Sequence, residues 1–188
     1  MTTQLHPPFS YDNLSQVLYD APPKIWAAGM VWYEEANAWC HNFPPFTVKQ
    51  VAGVVAAFSR NTSWDLNLRH VAKYLRGEPV GHFKPCLFQA KAILDGAEPL
   101  DVLTGWKIRA FYANIANPDG DEVTIDRHAA ALLAGMRTPD YVRIYKSASE
   151  NRHLHRRCVE IYTRAAKERG LIVNQAQAIA WLHHRAKS

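Results

Sequence analysis

Asp126 stands in the segment V-T-I-D-R-H, from Val123 to His128, immediately ahead of a helical run from Arg127 to Leu133. An acid at that position caps a helix by accepting from its first backbone N–H groups. The positive end of the helix dipole then stabilises its negative charge. An ionised carboxylate held this way can stabilise positive charge building on a substrate, and can orient or deprotonate a nucleophile. Arg127 adds a positive neighbour and a guanidinium able to hold a phosphate. His128, two residues past the acid, points to a different side of the helix and reads as a structural histidine rather than an acid catalyst. His183 and His184 end an apolar helix that carries Trp181, where a solvated tail is the expectation. No spacing makes a persuasive metal site, so no metal is expected.

The elements that must position these residues are helices. Ser10, Tyr11 and Asp12 open a short one ending near Ala21, and a longer one runs from Lys24 to Cys40. Pro22 with Pro23, and Pro44 with Pro45, interrupt the chain. Thr47, with Gln50 three residues on, makes a capping-box pattern ahead of Val48 to Phe58. That stretch is apolar nearly all round and belongs inside a core. Ser63 is placed to cap Trp64 to Leu75, which Gly77 and Pro79 end. Leu87 to Leu94, Pro99 to Leu103 and Trp106 to Ile115 follow, the last pair joined by a turn at Thr104 and Gly105. Asn117 to Gly120 is a turn, and Gly135 ends the helix after Asp126. Tyr141 to Ser147, Arg152 to Arg169 and Gln175 to Arg185 complete an all-α bundle of short helices, read as one domain over residues 1–188. No alternating strand pattern and no repeat stands out.

The 188 residues carry a net charge of +5, which favours polyanionic partners. Arg143, Lys146, Arg152, Arg156, Arg157, Arg164, Lys167 and Arg169 crowd one stretch, with His153 and His155 among them. Either a nucleic-acid footprint or a solvated helix face explains it. The three scattered cysteines, Cys40, Cys86 and Cys158, make neither a disulfide framework nor a zinc motif. The apolar stretches are too short to span a bilayer, and the first ten residues lack the basic start and apolar run of a leader. A cytoplasmic monomer is expected, in the host cytoplasm if the source is viral, with no membrane association.

Three segments in order resemble landmarks of the endonuclease III superfamily, the helix-hairpin-helix DNA glycosylases. The first is V-V-A-A-F-S-R-N-T-S-W-D-L-N-L-R-H-V-A-K-Y-L, from Val54 to Leu75, where Ser59, Asn61, Thr62 and Trp64 fit the family's polar loop between two helices. The second is L-T-G-W-K-I-R-A-F-Y-A-N-I, from Leu103 to Ile115, which is similar to the family's hairpin. Leu103 and Gly105 match, whereas Lys107 stands in place of the second glycine and Arg109 in place of the lysine nucleophile. The third is Val123 to Leu133, in which Asp126 falls on the catalytic aspartate and His128 on the histidine two residues on. The resemblance covers residues 47–135, with the hairpin near 103–110 and C-terminal helices beyond 136.

The resemblance implies double-stranded DNA as partner, with one nucleotide flipped out of the stack. Asn61 would enter the vacated space, pairing with the orphaned base as donor and acceptor, with Thr62 beside it. Gly105, Trp106 and Arg109 would present the hairpin to a phosphate, and Arg127 and His128 would meet the DNA next to Asp126. With water as nucleophile the protein would be a monofunctional glycosylase. With Lys107 as an imine-forming amine it would be a glycosylase-lyase; Arg109 stays protonated and cannot take that part. The four-cysteine iron-sulfur loop of many relatives is absent, so no cofactor is expected. A compact phage-type branch on this scaffold decorates modified pyrimidines instead of excising them, and a non-catalytic hairpin module that only binds DNA is the third alternative.

Overall fold

The structure, a computed structural model, describes residues 8–145 and 151–186. Most of the segment expected to lack a leader, together with Lys146 and Ser147, lies outside the described residues. Every regular element among the described residues is an α-helix, and none is long and apolar enough to cross a membrane. They pack as two compact units: the chain up to Trp32 with Asp119 onward, and Tyr33–Pro118. The stretch 47–135 is therefore shared between them.

The first unit contains α1 (Tyr11–Asp20), the beginning of α2 (Pro23–Cys40), α8 (Arg127–Leu133), α9 (Thr138–Tyr145), α10 (Arg152–Lys167) and α11 (Val173–Ala186). Ser10 caps α1 by accepting from Asp12 N–H at 3.0 Å, and its own N–H donates to Leu133 O at 2.9 Å. Leu14 and Leu18 of α1, Ile125, Leu133, Tyr162 of α10 and Ile179 of α11 are fully buried together. Gly135 ends α8 in a left-handed turn (φ +66°): its N–H reaches Leu132 O, and Met136 N–H reaches Ala131 O. That pair of bonds is the Schellman arrangement, which satisfies two of the helix's last carbonyls. α9 begins at Thr138, three residues earlier than the sequence suggests, because Pro139 fits the first turn of a helix. Asn151 caps α10 by accepting from the N–H groups of His153 and Leu154.

The second unit contains the rest of α2, α3 (Val48–Phe58), α4 (Trp64–Leu75), α5 (Lys84–Leu94), α6 (Pro99–Val102) and α7 (Trp106–Ala116). α3 is its centre, with Val51 to Phe58 buried throughout and α4, α5 and α7 packed around it. The capping box forms: Gln50 N–H donates to Thr47 Oγ1, and Thr47 N–H donates to Gln50 Oε1. The same Gln50 sends Nε2 to the last carbonyls of α5, at Ile93 and Leu94. One side chain thus starts α3 and finishes α5. Ser63 occupies the cap position of α4 without a side-chain cap bond, contrary to the expectation from its type. α5 starts at Lys84 rather than Leu87, again with a proline in the first turn.

Backbone approach is tightest at Gly29 of α2. A Cβ there would lie 2.4 Å from Ile179 Cγ1 and 2.7 Å from the backbone of Ile179 in α11. Gly29→Ala is expected to lower stability by about 1–3 kcal/mol, the usual result of overpacking where backbone must shift. Gly81→Ala, where a Cβ meets nothing within 4 Å, serves as control. Denaturant midpoints of the two variants check this, and equal midpoints would contradict the close approach.

Candidate active site

Asp126 is the N-cap of α8, in extended backbone (φ −107°, ψ −177°). Its Oδ1 accepts from His128 N–H at 2.9 Å and from Ala129 N–H at 2.8 Å. Valine and isoleucine on the approach, Val123 and Ile125, are buried and pin the segment to the core of the first unit. The carboxylate itself is half-buried, and among the described residues no hydrogen bond reaches Oδ2. One oxygen thus caps the helix, and the other makes no hydrogen bond among the described residues. Arg127 is exposed beside it.

The imidazole of His128 turns toward α9 and α11. Its Nδ1 lies 2.9 Å from Thr138 Oγ1, and the same hydroxyl lies 3.2 Å from Nε2 of His184. The two rings stand edge to face, with centroids 6.3 Å apart. Thr138 is buried and His184 half-buried. Burial, followed by the charge of His128, holds His184 below the ordinary histidine value of 6.5, against the opposing pull of Asp126. The expectation of a solvated tail at His183 and His184 is thus corrected: His183 is 4 % exposed, and His184 is bonded into the first unit because α11 packs on α8. Tyr162 lies beneath, fully buried, and its hydroxyl has no hydrogen-bond partner among the described residues. Burial drives this phenol well above tyrosine's ordinary range, and the Asp126 charge pushes the same way.

The second unit holds the other expected site residues. α6 and α7 are joined through Thr104 and Gly105, and Gly105 (φ +83°) is the N-cap of α7. Only glycine takes that backbone readily. Trp106 is 42 % exposed and Lys107 half-buried. Arg109 is exposed, and its Nη1 donates to Leu100 O and, at 3.2 Å, to Leu103 O. It therefore ties the end of α6 to α7. Asn61 is exposed in the loop between α3 and α4 and adopts a left-handed conformation (φ +55°), which asparagine tolerates better than most residues. Thr62 Oγ1 donates to Arg60 O at 3.0 Å. Trp64, just beyond, packs edge-on against Phe111 of α7 at 6.3 Å, linking this loop's exit to the hairpin helix.

Part of the basic run is consumed inside the first unit. Arg157 donates to Phe9 O, and Arg169 donates to the Oγ and carbonyl of Ser15. Arg164 pairs with Glu168 and lies 4.0 Å above the ring of Tyr11. Arg152, Arg156 and Lys167 remain exposed on α10. The cysteines are free and buried, and burial lifts the thiols of Cys40 and Cys158 to about 12, which removes them as nucleophiles.

Thr138, His184 and Tyr162 were not legible as site residues. Thr138 fell outside the expected helix, although Pro139 in its first turn is a start signal. For Tyr162 no local signal exists, since only tertiary packing puts it under Asp126.

A helical protein with a capping carboxylate next to a hydroxyl-bridged histidine pair is the class that fold and site define. The chain belongs to a family of unknown function, DUF7178, whose model matches residues 3–188. No curated protein and no solved structure matches it.

The lowered His184 has a consequence for stability. The unfolded chain takes up a proton near pH 6.5, before the folded chain does at this site, so stability is lost as pH falls from 6.5 toward the lower folded value. His70 and His155 are also held low by burial and act in the same direction. The denaturant midpoint is expected to drop between pH 7.5 and 5.5, and to drop less in His184→Gln. An identical drop in the variant would remove His184 as a contributor.

Proposed function

We propose that the protein is a DNA base-processing enzyme that cleaves the N-glycosidic bond of an altered base, with Asp126 as its carboxylate. The observation that carries this reading is the division of labour on Asp126, with Oδ1 fixed by two backbone N–H groups and Oδ2 unengaged. Departure of a base with the bonding electron pair leaves positive charge on the sugar. A fixed carboxylate stabilises that charge without having to reorganise as it develops. Water then bonds to C1′, giving one proton to the site, while the departed base is protonated in turn. Lys107 as an imine-forming nucleophile is the glycosylase-lyase variant of the same chemistry.

Support for a DNA partner comes from each unit separately. In the second, the short hairpin α6–Thr104–Gly105–α7 leaves the first N–H groups of α7 without intrahelical acceptors, a geometry suited to a phosphate. Asn61 and Trp106 are exposed, as a wedge and a stacking surface must be. In the first, Arg127 is exposed beside the carboxylate, and Arg152, Arg156 and Lys167 offer further positive charge for phosphates.

Asp126→Asn keeps a side-chain oxygen able to cap α8, since asparagine caps as well as aspartate. The variant is therefore expected to fold and to bind DNA with little change, while alkali-labile sites cease to form in DNA carrying the altered base. Unchanged formation of such sites would refute the assignment. A base changed in mass within an intact strand would point to transfer rather than excision.

A further inference from the structure

Beside the hairpin, the second unit carries an open cleft of about 800 Å3. Lys84, Phe88 and Gln89, on one face of α5, line it together with Asp101 of α6 and Thr104 of the hairpin turn. Phe88 is 74 % exposed. A ring that open contributes little to packing in its own unit and is available for stacking on another flat group.

The hydrogen-bonding groups of the cleft divide by kind. Gln89 Nε2 donates to Val102 O at 3.1 Å and reaches Thr104 Oγ1 at 3.4 Å. A carbonyl oxygen only accepts, so the contact to Val102 fixes the orientation of the amide and leaves Gln89 Oε1 as an acceptor. The carboxylate of Asp101 is acceptor-only as well. The donors are the ammonium of Lys84 and the hydroxyl of Thr104, both exposed. A stacking ring, two acceptors and two donors are what a nucleotide needs: a face for the base, partners for its amino edge, and partners for its phosphate.

We propose that this cleft seats an unpaired nucleotide of the DNA strand gripped by the hairpin, with a preference for guanine. The base stacks on Phe88, and its pairing edge meets Asp101 and Gln89 Oε1. Guanine carries a ring N–H beside an amino group, two adjacent donors that one carboxylate can take together. Thymine carries a single N–H between two carbonyls, which would set oxygen against oxygen. Adenine and cytosine carry an amino group beside a bare ring nitrogen and fall between. Lys84 and Thr104 supply donors to the phosphate oxygens. Thr104 belongs to the cleft and to the hairpin turn alike, so a strand held at the turn continues directly to Phe88. The inference rests on DNA as the partner of the hairpin, and not on excision at Asp126.

Affinities of the full chain for three unmodified DNAs test it: a blunt duplex, and the same duplex extended by a short unpaired run of guanine or of thymine. The guanine tail is expected to bind about tenfold more tightly than the thymine tail, as for one well-made bidentate contact. Phe88→Ala should weaken the guanine-tailed duplex by about fivefold or more, as for a lost stacking ring. Asp101→Asn should remove the preference for guanine, because an amide donates as well as accepts. Blunt-duplex affinity is expected to stay the same in both variants, which checks that they are folded. Equal affinity for the two tails, or a guanine preference that survives Asp101→Asn, would overturn the assignment. Free dGMP binding as tightly as the tail would overturn the choice of a strand as occupant. A protein that binds no duplex fails the DNA reading and the cleft together. One that keeps the guanine preference but releases no altered base fails only the excision reading.

Discussion

Two backbone N–H groups at the start of α8 converge on one carboxylate oxygen, and the arrangement of the candidate site depends on that convergence. The bonds fix the carboxylate's direction and begin the helix in one stroke. Because α8 begins there, His128 is carried round to Thr138 and His184, and Ala129 to Leu133 are turned into the core. The Schellman turn at Gly135 closes the same helix two turns later and leads the chain directly into α9 with Thr138. A seven-residue helix with both ends satisfied is a rigid mount for a short acid.

Below that mount the first unit tolerates a group that protein cores normally exclude. The hydroxyl of Tyr162 is buried without a partner among the described residues, which costs about 1–3 kcal/mol. A core made for stability alone would place phenylalanine there. Burial, with the Asp126 charge acting the same way, holds that phenol in its neutral form. The second unit is built differently. Its capping box ties α3 to the end of α5, and Arg109 ties the end of α6 to α7.

Much of the fold was legible because it is written in local chemistry. The Thr47–Gln50 box, the Asp126 cap and the end of α8 at Gly135 each require only neighbouring residues, and each appears in the structure. Early starts at Lys84 and Thr138 were missed because apolar periodicity begins later than the proline-containing first turn. The candidate site was legible only in part. Asp126 announced itself through position, but His184 is fifty-eight residues away in sequence and read as a tail. Its role depends on α11 lying against α8, which no local pattern records. Arg109 is exposed, and the bonds of its Nη1 to the carbonyls of Leu100 and Leu103 depend on how α6 and α7 meet, which no local pattern records.

The most direct measurement is mass analysis of nucleosides and released bases after incubating the protein with DNA carrying a panel of altered purines and pyrimidines. Base excision through Asp126 predicts that one class of altered base appears free in solution and is lost from the digested strand, and that Asp126→Asn abolishes both changes. A panel in which every nucleoside keeps its mass and abundance, while the protein still binds the DNA, would contradict it.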